Sequence, residues 1–117
     1  MRTKQVTVAG KQFWLNWSGR CQVNIEAYKR TPGYDPRTHT AETAYRTLYE
    51  EMIAGYLWAQ KNGMNPANQP PTYDELLDTV GMDEMLDLTP DIMEIMTGVR
   101  NVVANPPKKD VAGESAD

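Results

Sequence analysis

The sequence predicts an α+β fold that is mostly helical, with an N-terminal β-hairpin packed on three to four helices. Two short runs with alternating apolar residues, 4–8 and 12–17, are separated by a tight turn. A long amphipathic helical pattern fills residues 40–62, and shorter helical patterns follow. The chain has 117 residues, enough for one hydrophobic core. We therefore expect a single domain over residues 1–104 and a disordered tail over residues 105–117, where no apolar pattern remains.

The first two elements are predicted to pair as a β-hairpin. Gly10 lies between them and can adopt the positive φ that tight hairpin turns require. Two strands alone are only marginally stable in water, so a helix or another chain must cover the apolar face. Trp14 points to the opposite face, which predicts either a contact with the central helix or a contact with a partner. The apolar face carries Val6, Val8, Phe13, Leu15 and Trp17.

Residues 40–62 are predicted to form the central helix. Nine of their apolar, aromatic and small side chains fall within an arc of about 140°, which is typical of a helix that faces a core. The apolar arc becomes wider near the C-terminal end of the helix, where Trp58 lies at one edge. We therefore expect other elements to pack on more than one side of these last turns. Thr38 or Thr40 is predicted to cap the start. Gly63 suits the left-handed residue that ends many helices.

A shorter helix is expected before the central one and another after it. Ser18 can cap a helix over residues 19–30, which ends before a loop rich in proline and glycine. Beyond the central helix, Thr72 and Glu75 have the spacing of a capping box. They predict a short helix that stops at Gly81.

The last helix is predicted to restart at Thr89. Residues 82–88 can form a turn or two of helix, and Thr89 followed by Pro90 has the pattern of a new helix cap and first position. Apolar residues with helical spacing then continue to about Ala104, before Pro106 and Pro107 end the pattern.

Composition is that of an ordinary soluble protein, with 40% apolar and 24% charged residues. No apolar run approaches the roughly 20 residues needed to cross a bilayer, and the N-terminus lacks the apolar block of a signal peptide. We therefore expect a cytoplasmic protein without membrane contact. The single cysteine, Cys21, excludes an internal disulfide and a multi-cysteine zinc site.

Charge is distributed unevenly between the two halves of the chain. Residues 1–49 carry eight basic and three acidic side chains, whereas residues 50–100 carry two basic and ten acidic ones. One interpretation is that the two halves face each other within the domain. The other is that surfaces of opposite sign meet between subunits or guide a charged partner.

No pattern predicts catalysis. The one histidine, His39, lies in the proline-rich loop, far in sequence from Cys21, and is expected to be solvated. No spacing typical of metal ligands, phosphate-binding glycine loops or nucleophilic serines is present. Acidic pairs such as Glu50 and Glu51 are expected on helix surfaces. The sequence therefore favours a protein that is not an enzyme and has neither a cofactor nor a metal site.

Binding to another protein is the better-supported expectation. Four methionines lie in the last third of the ordered chain, and the flexible methionine side chain suits surfaces that adapt to a ligand. The hairpin edge also leaves backbone groups free for strand addition by another subunit. Filling gaps in the core would produce the same methionine pattern. The candidate partner contacts are Trp14, Trp58, Met85, Met93 and Met96.

The order of elements resembles that of the tail assembly chaperones of long-tailed bacteriophages. The resemblance covers about residues 5–104. It includes a hairpin reading VTVAGKQFWLNW, a helix with Glu26 late in it, a long helix ending YLWAQKNG, the segment PPTYDELLD and a last amphipathic helix. It implies a small, mostly helical, non-enzymatic protein of the host bacterial cytoplasm. Such a protein self-associates and binds the tape measure protein, an extended helical partner, while the tail tube polymerises.

Two alternatives remain open at this point. One is another small virion or tail-completion protein of a bacteriophage. The other is a protein that binds single-stranded nucleic acid through the basic N-terminal half, where Trp14, Trp17, Tyr28 and Tyr34 would stack on bases. Nucleic acid is the less favoured partner, because the whole chain is acidic and lacks a recognition signature.

Overall fold

A computed structural model describes residues 3–98 of the chain. It confirms the predicted α+β, mostly helical fold, in which an N-terminal hairpin packs on four helices. The predicted tail over residues 105–117 lies outside the described residues. The elements in chain order are β1 (Thr3–Val8), β2 (Lys11–Asn16), α1 (Gly19–Lys29), α2 (Thr40–Lys61), α3 (Tyr73–Thr79) and α4 (Met82–Thr97).

The hairpin is antiparallel and closes through a two-residue turn. Val8 pairs with Lys11 next to the turn, and the register continues to Thr3 opposite Asn16. Both turn residues have positive φ, +51° at Ala9 and +81° at Gly10, as a type I′ turn requires. Alanine rarely adopts this conformation. The Glu84 side chain of α4 accepts a hydrogen bond of 2.7 Å from the Ala9 amide, which holds the turn against that helix.

Helix α2 is the centre of the packing, as predicted. It lies so close to β2 that a Cβ atom at Gly55 would be 1.8 Å from the backbone oxygen of Trp14. Only glycine permits this approach. Helices α3 and α4 complete the core beneath the hairpin. The core cluster consists of Val6, Val8, Phe13, Leu15, Tyr45, Leu48, Met52, Leu76, Val80, Met85, Leu88, Ile92 and Ile95.

Two of the predicted helix caps are confirmed. The Ser18 hydroxyl accepts from the Cys21 amide at the start of α1. Thr72 and Glu75 form a reciprocal capping box at α3, with hydrogen bonds of 3.1 and 2.8 Å. These predictions were correct because each cap depends on residues only three positions apart.

The start of α2 differs from the prediction, whereas its end agrees with it. Its N-cap residue is His39, and no side chain caps it. The Thr38 hydroxyl instead donates to the Asp35 carbonyl within the preceding turn. Gly63 adopts a φ of +72° after the helix, as expected.

Helix α4 is continuous through Pro90, so the predicted restart at Thr89 is wrong. The Thr89 hydroxyl donates to the Met85 carbonyl, a bond within the helix, and does not form a cap. Proline has no amide hydrogen, so the Leu86 carbonyl lacks its helical partner. The helix nevertheless continues because buried residues lie on both sides of the proline along one face. It ends at Gly98, whose φ is +78°. The predicted extension from residue 99 to Ala104 lies outside the described part of the chain.

Candidate protein-binding surfaces

One of the five predicted partner contacts is a core residue. Met85 is 1% exposed, so a partner cannot reach it in the folded protein, and the expectation of a contact role is corrected. Its position follows from helical spacing. Leu88, Ile92 and Ile95 lie three, seven and ten residues after it and are also buried, so Met85 belongs to the face that packs on α2 and the hairpin.

A second apolar row on α4 lies beside this buried face. Met82 and Leu86 are 49% and 64% exposed, and Met93 and Met96 are half-buried. At 100° per residue these four side chains fall within an arc of about 80° and extend along about 21 Å of helix. The same arc contains the exposed Thr89, whose hydroxyl donates to the Met85 carbonyl within the helix. We call Met82, Leu86, Met93 and Met96 the α4 stripe. Met82 and Leu86 were not among the candidates that the sequence indicated, although the same helical spacing that places Met93 also places them in this row.

Acidic residues occupy the rest of the α4 surface. Asp83, Glu84, Asp87, Asp91 and Glu94 lie on the side of the helix away from the α4 stripe. Residues 62–98 contain no lysine, arginine or histidine. One edge of the stripe therefore adjoins the acidic side of α4, and the other edge adjoins the buried face.

The two predicted tryptophan contacts lie together, where β2 meets the C-terminal half of α2. The Trp14 and Trp58 rings are 5.4 Å apart, and both are half-buried. The wide end of α2 therefore covers Trp14, the first of the two expected alternatives. Leu57, next to Trp58, is 57% exposed and lines a shallow groove of about 250 Å³ with Lys61 and Asn16. We call Trp14, Leu57 and Trp58 the tryptophan patch.

The α2 helix contains a buried carboxyl group where a surface residue was predicted. Glu51 is fully buried, and neither carboxylate oxygen has a hydrogen-bond partner. Burial and, to a smaller degree, the negative charge of Asp91 raise the pKa of Glu51 to about 10. The group is therefore protonated at neutral pH. The prediction was wrong because α2 is covered on more sides than its apolar arc indicates, and Thr47 is buried for the same reason.

Two tyrosines of the basic half contact each other. Tyr28 and Tyr34 pack edge to face with ring centres 5.2 Å apart. The Arg46 guanidinium lies 4.9 Å from the Tyr28 ring centre and 4.4 Å from that of Tyr73. Tyr28 thus uses its ring for contacts within the protein. The cluster stabilises the start of α2 against α1 and α3.

The described residues contain no group of three or more His, Cys, Asp or Glu side chains placed to hold a metal ion. The Nδ1 atom of His39 is 3.0 Å from the Thr38 hydroxyl and 2.9 Å from the Asp35 carbonyl, so its ring is tied into the turn before α2. Cys21 is buried, and its thiol donates to the Glu50 carbonyl. Burial raises the pKa of this thiol above its ordinary value. The hydrogen bonds of His39 and Cys21 are thus made to other groups, and the two side chains do not pair as a catalytic base and nucleophile.

No protein-family description, curated protein or solved structure matches this chain. Within residues 3–98, no helix is long and apolar enough to cross a membrane.

Proposed function

We propose that this protein is a non-enzymatic assembly factor that binds a long apolar helical segment of a partner protein. The tail assembly chaperones of bacteriophages bind the tape measure protein in this way. The observation that carries the proposal is the α4 stripe, an exposed apolar row beside a core face that is already filled. The order of elements along the chain supports the same family.

The shape of the stripe suits a helix better than an extended chain. It is about 21 Å long and one side chain wide, the dimensions of the contact between two packed helices. An amphipathic partner helix would place its own apolar residues against Met82, Leu86 and Met93. Basic residues along one edge of that partner helix would lie on the acidic side of α4.

Methionine is well suited to a partner whose sequence changes along its length. Three of the four stripe residues are methionines, whose flexible side chains repack against different apolar surfaces. Several copies of the protein can then cover successive parts of one long helix in the host bacterial cytoplasm. Such a protein needs no chemical step, since its role is to keep the apolar surface of the partner from aggregating.

The test is co-expression with a long apolar coiled-coil segment of the tape-measure type, followed by affinity capture and light scattering of the complex. We expect capture of the segment with several copies of the protein per segment. Changing both Leu86 and Met93 to serine should abolish capture while the fold is retained. Val23→Ser is the matched control, because Val23 is 58% exposed on α1, outside the stripe. Equal loss of capture with the control variant, or a monomer that captures nothing, would overturn the proposal.

A further inference from the structure

The two edges of the hairpin differ in how they are covered. At the β2 edge, the Gln12 carbonyl accepts a hydrogen bond of 3.1 Å from the Asn68 side chain. The next outward carbonyl, that of Trp14, is covered by α2 at Gly55. This edge is closed by the protein itself.

The β1 edge is open. Val8 and Val6 pair with Lys11 and Phe13 next to the two-residue turn, so they exchange the ladder hydrogen bonds. The alternate residues, Gln5 and Thr7, therefore point their amide and carbonyl groups away from β2. Both residues are exposed, and their backbone groups have no hydrogen-bond partner among residues 3–98.

This open edge lacks the features that usually prevent strand addition. Strand β1 contains no proline and no bulge, and its outward side chains are uncharged threonine and glutamine. Its one charged side chain, Lys4, points toward α4, where its ammonium group lies 2.6 Å from Asp91 and 3.5 Å from Glu94. The edge is a ready template for another strand.

Acidic residues of α4 follow this edge from end to end. Glu84 contacts the amide of Ala9 at one end of β1, and Asp91 and Glu94 contact Lys4 at the other. Asp87 lies between them on the same side of the helix. We call Glu84, Asp87, Asp91 and Glu94 the acid row. It runs antiparallel to β1, on the face of the sheet toward which Lys4 points.

We propose that the β1 edge binds an extended segment of a partner protein that carries lysine or arginine at alternate positions. The backbone of this segment would pair with Gln5 and Thr7. Every second side chain would then face the acid row, since side chains of a strand alternate between the two faces. A second copy of this chain is disfavoured, because pairing β1 with β1 around a twofold axis would bring two acid rows side by side. This site is separate from the α4 stripe and does not depend on the proposed function.

The experiment is a binding titration with a short synthetic peptide that alternates threonine with lysine. A peptide of the same composition with its lysines in one block is the control for unspecific charge attraction. We expect the alternating peptide to bind at least about tenfold more tightly, with affinity that falls as salt is raised. N-methylation of alternate backbone amides of the peptide should abolish binding and leaves the protein unchanged. Equal binding of the methylated peptide or of the block peptide would overturn the proposal.

Protein variants locate the site. Thr7→Pro removes one outward amide but no hydrogen bond between β1 and β2. It should lower the affinity for the alternating peptide by about tenfold, whereas Thr7→Val should leave this affinity unchanged. Asp87→Asn should weaken binding several-fold and flatten its salt dependence. Leu86→Ser, which tests the α4 stripe, should leave this peptide unaffected. Unchanged affinity in both Thr7→Pro and Asp87→Asn, or a dimer of the free protein that Thr7→Pro dissociates, would contradict the assignment.

Discussion

Helices α2 and α4 have similar apolar content but differ in how much of their apolar surface is buried. In α2, most of the apolar residues are covered apart from Leu57, and Leu48, Met52 and Ala59 are no more than 1% exposed. In α4, one apolar face enters the core and a second, the α4 stripe, stays at the surface. A methionine therefore has a packing role at position 52 and is available to a partner at position 82. The difference depends on how many elements surround each helix.

Truncating one leucine in each helix should give the largest contrast. Leu48→Ala removes a fully buried side chain and should lower the free energy of unfolding by about 3 to 4 kcal/mol. Leu86→Ala removes a side chain that is 64% exposed and should change it by less than about 0.5 kcal/mol. Urea denaturation measures both. Similar losses for the two variants would show that the stripe belongs to the core.

A methyl group at Gly55 should be nearly as damaging, because α2 has no room to accept it. The new carbon would overlap the Trp14 carbonyl, so α2 would have to move away from β2. We expect Gly55→Ala to cost about 3 kcal/mol of stability, the upper end of the usual cost of overpacking. Gly19→Ala is the matched control, since no atom lies within 4 Å of the added carbon there. A stable Gly55→Ala protein would refute the close packing of α2 on β2.

The buried carboxyl of α2 should make stability depend on pH. Its folded pKa of about 10 lies above its unfolded value of 4.5, so between these values the unfolded chain loses a proton that the folded protein keeps. Stability contributed by the protonated Glu51 is complete below pH 4.5 and is lost as pH rises, by about 1.4 kcal/mol per pH unit.

Glu51→Gln should remove this dependence. Relative to the unmodified protein, its free energy of unfolding should increase by about 3 kcal/mol between pH 4 and pH 7. Glu50→Gln is the control, because the Glu50 carboxylate lies at the surface and accepts a hydrogen bond from the Asn24 side chain. A constant difference between Glu51→Gln and the unmodified protein over this range would mean that Glu51 is ionised in the fold.

Restoring the hydrogen bond that α4 lacks at Pro90 should give the smallest effect. Pro90→Ala supplies the amide that the Leu86 carbonyl lacks, so we expect a gain of about 1 to 2 kcal/mol in the free energy of unfolding. Pro32→Ala, in the loop before α2, has no helical bond to restore and should bring no gain. Destabilisation by Pro90→Ala, measured by thermal unfolding, would show that the proline is needed where it stands.

The sequence predicted the features that depend on neighbouring residues. The hairpin, the central helix and the caps at Ser18 and Thr72 follow from alternation, helical spacing and three-residue contacts. Features set by distant contacts were not predictable in this way. Burial of Glu51 depends on elements that approach α2 from beyond its apolar arc. Continuity of α4 through Pro90 depends on core contacts on both sides of it.

The candidate surfaces were predicted only in part. Methionine and tryptophan content directed attention to β2, α2 and α4, but composition alone does not separate a core methionine from an exposed one. Met85 and Met82 lie three residues apart on one helix, yet one is buried and the other half exposed. The helical positions of the two separate them only when the face of α4 that packs on α2 is known.

The most direct test of the central claim is methyl NMR of the methionines during titration with an amphipathic helical peptide of leucine and lysine. We expect the signals of Met82, Met93 and Met96 to shift with the peptide, while those of the buried Met52 and Met85 do not. Met64 is 39% exposed but lies outside the stripe, so it serves as an internal control and should also stay unchanged. Shifts centred on Met64, or no shift at any stripe methionine at saturating peptide, would contradict the account.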